Sequence, residues 1–204
     1  MSKPLISVVY FSSYGHVKQL SHKIMEGLTK NSSVEAKLFQ FEETLPKEIL
    51  IKSKSPPKDE SVPIFTLKDL EKGDAFMFGF PTRYGIMPSQ VKSFWDSTGG
   101  LWMKGALQRK MAGTFFSTGS QSGGQETTAL TFLTTLSHHG MIYVPMGYSH
   151  KNLNCIDEVV GGSAYGSGTV AGGDGSRQPS EKEKEIAVHH GSMFAEIVAQ
   201  YHKK

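Results

Sequence analysis

The chain has 204 residues, a formal net charge of +3, 38% hydrophobic residues and 20% charged residues. So much hydrophobe against so little charge excludes a disordered chain and suffices for a sizeable core, so a single domain over residues 1–204 is expected. The one cysteine, Cys155, excludes an internal disulfide framework and any zinc site built on two thiolates, and the dispersed lysines lack the arginine and aromatic stripe of a nucleic-acid surface.

No apolar run approaches the roughly 18 residues of a membrane span, so no integral membrane segment is expected. The first apolar run has no small-residue cleavage site after it and reads as a buried strand, not a leader. A soluble, cytoplasmic protein is the expectation, with peripheral attachment to a membrane surface left open.

Leu5-Ile-Ser-Val-Val-Tyr-Phe11 is almost continuously β-branched or aromatic, the pattern of a central parallel strand covered on both faces. A polar stretch follows, and then Val17, Leu20, Ile24 and Leu28 recur on one helical face. Residues 34–41 alternate as an edge strand does. Residues 42–73 are rich in Pro, Lys and Glu, with short helices expected around 47–51 and 67–71. A third strand is expected over 74–80 and a helix over 90–97, with Trp95 and Val91 on its core face. Trp102, after Thr98-Gly-Gly-Leu101, is read as an exposed loop residue facing a ligand or another subunit. A strand over 110–116, a helix over 126–136 and a strand over 141–146 follow. Ser180 and Glu183 form a capping box that opens a helix running to about residue 201. This alternation predicts a doubly wound α/β sheet.

Ligands of such sheets bind outside the carboxyl ends of the strands, which points to residues 12–17, 81–88, 117–125 and the stretch after Met146. The first three are rich in Ser, Thr, Gly, Tyr and His and should converge on one site. The first lies between a buried strand and a helix start, so its amides are unsatisfied donors, with Ser12 and Ser13 hydroxyls beside them. It contains no lysine or arginine, which excludes a Walker loop and favours a monophosphate held by neutral donors. Gly166-Ser-Gly168-Thr-Val-Ala171 matches a dinucleotide fingerprint in letters only, since neither a strand before it nor a helix right after it is expected. No serine-hydrolase elbow, zincin motif or EF-hand loop is present, and no metal site is expected.

Several segments together resemble the WrbA family, over essentially the whole chain and in order. They are Tyr10-Phe-Ser-Ser-Tyr-Gly-His16, Pro81-Thr-Arg-Tyr-Gly85, Ser97-Thr-Gly-Gly-Leu-Trp102, Ser117-Thr-Gly119 with Gly123-Gly-Gln-Glu126, His138-His-Gly-Met141 and Gly172-Gly-Asp-Gly-Ser-Arg-Gln-Pro179. These relatives are flavodoxin-like, FMN-dependent NAD(P)H:quinone oxidoreductases. The resemblance implies a flavodoxin-like, five-stranded parallel sheet of order 2-1-3-4-5. It also implies FMN as cofactor, NADPH or NADH as electron donor, a quinone as substrate and a homodimer or homotetramer.

Carried onto this chain, the resemblance places the FMN phosphate at Ser12, Ser13, Tyr14, Gly15, His16 and Val17. It places the flavin ring against Pro81, Thr82, Arg83, Tyr84 and Gly85, and against Ser117, Thr118, Gly119, Ser120, Gln121, Ser122 and Gly123, with His138 at its border. Tyr14 and Trp102 would meet the nicotinamide and substrate. Arg83 would favour the reduced flavin electrostatically and His138 would donate a proton, so these two are the catalytic candidates. Ile86 stands where the family usually has Asn, and Ser120-Gln121-Ser122 makes its loop one residue longer. The implied function is two-electron quinone reduction by ping-pong hydride transfer, protective under oxidative stress. Its rivals are a one-electron carrier, disfavoured by the weakly basic charge and long insertions, and a flavin-binding scaffold with weak catalysis.

Overall fold

A computed structural model of the chain describes residues 2–203. The first strand, β1 (Leu5–Tyr10), is followed by α1 (His16–Thr29), β2 (Glu35–Gln40), and two short helices, α2 (Lys47–Lys52) and α3 (Leu67–Lys72). Then come β3 (Ala75–Pro81), α4 (Ser89–Asp96), α5 (Gly99–Met103), β4 (Met111–Thr118) and α6 (Gln125–His138). The chain ends with β5 (Ile142–Tyr143), β6 (Gly168–Val170) and α7 (Glu181–His202). All strand pairings are parallel and the order is β2-β1-β3-β4-β5, as expected, with β6 pairing β4 off that path.

Strand alternation divides the core between the two faces of the sheet. Ile6, Val8 and Tyr10 of β1 and Ala75 and Met77 of β3 pack with Val17, Leu20, Ile24 and Leu28 of α1 and with Ala187, Phe194 and Val198 of α7. Val9 and Phe11, with Phe76, Phe78 and Phe80, point the other way, onto Leu70, Val91, Trp95, Leu101, Phe132 and Leu136. On that face the Phe78 ring lies 5.3 Å from Trp95 and 5.6 Å from Phe132, both edge-on, the arrangement that aromatic quadrupoles favour. Burial of β1 and β3 on both sides explains their continuous apolar sequence, and β2, exposed at alternate positions, is the edge.

The helices α1 and α7 touch backbone to backbone. A Cβ at Gly27 would lie 2.0 Å from the Val188 carbonyl oxygen, and one at Gly191 would lie 2.2 Å from that of Ile24. The Ser192 hydroxyl adds a 3.1 Å bond to the Gly27 carbonyl.

Two local features differ from expectation. The strand expected over 141–146 shrinks to β5: Val144 still donates to the Ala112 carbonyl at 2.8 Å, but Pro145 has no N–H with which to continue the ladder. Residues 144–167 then leave the sheet, and β6 re-enters beside the other half of β4, pairing Phe116 with Gly168 and Thr118 with Val170. The Gly166–Ala171 stretch therefore contains a strand of its own. Trp102 lies on a short helix instead of a loop, because burial of Leu101 and a 2.9 Å contact between the Thr98 hydroxyl and His139 Nε2 hold α5 despite two helix-disfavouring glycines.

Gly27→Ala should cost about 3 kcal/mol by overpacking, read as a lowered melting temperature. A second test concerns His190, which is fully buried, accepts the Ser167 amide at Nδ1 and has no partner for Nε2. Burial first, and the neighbouring His189 charge second, lower its pKa to about 3. Between that value and the ordinary 6.5 the unfolded chain binds a proton that the folded chain refuses, so stability falls as pH falls through this window. About 2 kcal/mol should be lost from this group by pH 5, and His190→Gln should flatten the dependence in denaturant titrations at several pH values.

Candidate functional site

The site forms where β1 hands over to α1. Phe11 keeps the sheet pattern by donating to the Gly79 carbonyl at 2.8 Å, and Ser12 Oγ then accepts the Gly15 amide at 3.0 Å. Gly15 occupies the N-cap of α1 with φ of 94°, a left-handed conformation that a side chain would strain. No side chain caps this helix, and its first turn carries no acidic residue. Its leading amides, at the positive end of the helix dipole, are thus left for a ligand.

These amides open into a cavity of 380 Å³. Ser12, Ser13, Tyr14, His16 and Val17 line it from the first loop, Pro81, Thr82 and Arg83 from the second, and Ser117, Thr118 and Gly119 from the third. The three loops expected to converge do so. The fourth wall, residues 171–175, follows β6 and falls in the stretch after Met146 that the sequence also marks, although no residue of it is among the expected ligand contacts. Within that stretch the Gly172-Gly-Asp-Gly run is the local signal, its glycines letting a backbone approach a ligand closely. Asp174 brings a carboxylate to this wall, and its pKa is lowered by bonds from the Ser176 amide and hydroxyl.

Arg83 bridges the first two loops, donating from Nη2 to the Ser13 hydroxyl at 2.8 Å and from Nη1 to the Thr82 carbonyl at 2.9 Å. It sits on a hairpin turn closed by reciprocal Arg83 and Ile86 backbone bonds of 2.8 and 3.1 Å. At the tip, Tyr84 has φ of 55° and Gly85 φ of 81°, the two positive values of a type I′ turn, and the Tyr84 ring is fully exposed. The turn is braced from α6: Thr128 Oγ1 donates to Thr82 Oγ1 at 2.8 Å, and Thr131 Oγ1 donates to the Gly85 carbonyl at 3.2 Å.

A second, larger cavity of 660 Å³ adjoins the first through shared Ser13, Tyr14 and Arg83. Its walls are mainly apolar, with Leu45, Ile49 and Leu50 on one side and Ile86 and Met87 on the other. Glu43, accepting from Gln90 Nε2 at 2.7 Å, forms a polar spot among them. The Tyr14 hydroxyl donates to the Ser53 carbonyl at 3.2 Å across the join. This wall comes from residues 42–73, to which the sequence assigns no ligand role, although Leu45 and Ile49 stand out as apolar residues in a charged stretch.

Other expected site residues lie elsewhere. The tail of the third loop turns away: Gly123 N bonds the Ser120 carbonyl at 3.1 Å, and Gln121 and Ser122 line a separate cavity of 320 Å³ with Gly162 and Ser163. His138 is the last residue of α6, whose first residue, Gln125, lies at the site end. Fourteen residues of helix put His138 about 20 Å from that end. Trp102 is with it, donating from Nε1 to the His138 carbonyl at 2.9 Å. Within one chain, then, the pair lies off the cradle, about one turn past Thr134 and Thr135 at the far edge of the larger cavity. Cys155 is half-buried with Lys182 Nζ at 3.1 Å, and that ammonium lowers the thiol pKa, so it is more nucleophilic than an ordinary buried cysteine.

The sequence profile of the NADPH-dependent FMN reductase family matches residues 11–152. Quinone-oxidoreductase QR2 of Triphysaria versicolor is 52% identical over 193 residues, covering 94% of this chain and 94% of that protein. NAD(P)H quinone oxidoreductase PST2 of Candida albicans is 48% identical over 201 residues, covering 98% of this chain and 99% of that protein. Among solved structures, the flavodoxin, WrbA-like protein from Agrobacterium tumefaciens aligns with a TM-score of 0.68 at 22% identity, over 98% of this chain and 99% of that one. Its likeness shows a flavodoxin-like fold.

An anion at the start of α1 should stabilise the protein. Inorganic phosphate at about 100 times its Kd would add about 2.7 kcal/mol, seen as a raised melting temperature against a phosphate-free buffer. Gly15→Ala, which strains the left-handed N-cap, should remove most of that increment.

Proposed function

The chain belongs to the NADPH-dependent FMN reductase family and, within it, to the WrbA-like, flavodoxin-like quinone oxidoreductases, and on that premise we propose that residues 1–204 form one FMN-binding domain that reduces quinones with NAD(P)H. One observation carries this reading: a helix start free of any side-chain cap faces a small polar cavity, and that cavity opens at Arg83 into a larger apolar one. A phosphate at one end and a planar ring system at the other match that gradient of polarity.

When bound, FMN supplies two-electron redox chemistry between the nicotinamide nucleotide and the quinone. The chain's own residues do the rest. The amides of His16 and Val17 and the hydroxyls of Ser12 and Ser13 hold the phosphate with neutral donors. Pro81, Thr82, Tyr84 and Gly85 on one side, and Ser117, Thr118 and Gly119 on the other, would border the ring, while Ser120 to Gly123 would support that third loop from behind. Arg83 places a positive charge at the junction of the cavities, where electron gain makes the bound group more negative. Tyr14 offers an aromatic face at the same junction.

His138 as proton donor and Trp102 as stacking residue belong to the proposal only through assembly. Neither lines a cavity of its own chain, His138 lying one turn beyond Thr134 and Thr135 on the rim of the larger one, and a homodimer or homotetramer is the means by which they reach a neighbour's. Donor and acceptor share one entrance, so they bind in turn, giving ping-pong kinetics. Taking a quinone to its hydroquinone in one visit is the basis for a role in oxidative-stress protection. No helix among the described residues is long and apolar enough to cross a membrane, and a cytoplasmic protein that touches membranes at most peripherally is the proposed location.

Purified protein titrated with FMN should quench flavin fluorescence at one equivalent, and the complex should bleach with NADPH and recolour with benzoquinone. Double-reciprocal plots should be parallel, and intersecting lines would overturn the shared entrance. Arg83→Met should lower kcat/KM for the quinone about tenfold, or about 1.4 kcal/mol.

A further inference from the structure

Glu183 entered the sequence reading only as half of a capping box. In the structure its carboxylate is fully buried and collects a dense set of donors. Oε1 accepts the Gly161 amide at 2.9 Å and the Val170 amide at 3.1 Å, and Oε2 accepts the Thr169 hydroxyl and the Ser180 amide, both at 2.8 Å. Arg177 Nη1 reaches both oxygens at 3.0 Å. The same guanidinium donates to the Val170 carbonyl at 2.6 Å and, from Nη2, to the Val159 carbonyl at 2.7 Å.

The backbone of Arg177 is engaged as well. Its amide donates to the Ala171 carbonyl at 2.9 Å, closing the neck of the 171–175 wall, and its carbonyl accepts His16 Nε2 at 2.9 Å, on the first turn of α1. The Ala171 amide donates to the Thr118 carbonyl at 2.7 Å, so the neck also meets the third loop. Beyond the neck little packs: nothing lies within 4 Å of a Cβ at Gly173 or Gly175. The wall is therefore held at its base, by Arg177 on one side and by the Ala171 bond to Thr118 on the other.

We propose that Arg177, seated on the buried Glu183, is a positioning residue for the flavin: it fixes the glycine wall and the His16 ring against the phosphate cradle and so sets how slowly FMN leaves. The inference rests on the FMN reading above. Arg177 touches no reacting atom. Its guanidinium is needed because one planar fork serves Val159, Val170 and Glu183 together, which a point-like ammonium cannot do.

The experiment compares wild type, Arg177→Met, Arg177→Lys and Ser180→Ala, each loaded with FMN, by the rate of the fluorescence rise as flavin is released on dilution far below the Kd, by the association rate on remixing, and by apoprotein melting. Ser180→Ala removes the hydroxyl that accepts the Glu183 amide, weakening the start of α7 while leaving the guanidinium bonds in place. It should lower the melting temperature with little change in release. Arg177→Met should release FMN at least tenfold faster than Ser180→Ala, with an unchanged association rate, and Arg177→Lys should fall between, about threefold faster than wild type. If the methionine variant does not fold, the lysine variant decides. Release from Arg177→Lys at the wild-type rate, or from Arg177→Met no faster than from Ser180→Ala, overturns the inference. Wild type that binds no FMN instead overturns the reading on which it rests.

Discussion

The free amides at the start of α1 are the feature on which the rest of the site depends. A helix end with unpaired donors is costly if buried dry, and here the donors are the ones turned into a polar cavity. Holding them there takes a rigid circuit. The helix α1 leaves the buried β1 through one left-handed glycine and lies against α7 with no room for a Cβ at Gly27 or Gly191. The first turn of α7 supplies Glu183, which fixes Arg177, and the Arg177 carbonyl returns to His16 on α1. Each member positions the next, and the circuit closes on the helix end where it began.

The two cavities differ in character because different connections build them. Short turns after β1, β3 and β4, rich in hydroxyls and glycine, enclose the smaller one. The larger lies between the Tyr84 hairpin turn and α2, a helix with no buried residue of its own, so Leu45 and Ile49 can face a ligand because the core does not claim them. Arg83 stands on both and is the cation that the first loop lacks. Its bond to Ser13 also ties the polar cavity to the hairpin, coupling the two in position as well as in charge.

Much of this was legible in the residues. Unbroken apolar runs announced β1 and β3 because burial on both faces leaves no polar alternation, and the shift to helical spacing at Val17 marked where the first loop ended. Features carried by distant partners were not. The three residues of β6 form a strand only because the half of β4 that β5 leaves unpaired accepts them, and nothing local distinguishes them from the glycine-rich chain around them. Glu183 and Arg177 belong to residue types that are rarely buried, so their place beneath the cradle showed only once Gly161, Thr169 and Val170 were seen to surround them. The resemblance sets His138 and Trp102 beside the flavin; within one chain neither lines a cavity, although Thr134 and Thr135, a turn before His138, line the larger one, a placement that a motif does not encode.

The divided edge strand has a consequence for how the chain tolerates change. Residues 144–167 leave β4 at Ala112 and rejoin the same edge at Phe116, and they are pinned again at Val159 and Gly161 by Arg177 and Glu183, so the part before Val159 spans fixed ends. Closing a longer excursion between fixed ends adds an entropic cost that grows only with the logarithm of its length, about 0.6 kcal/mol per doubling. An insertion ahead of Val159 therefore costs little while the pairing on either side keeps its register and the Arg177–Glu183 support of the cradle stays in place.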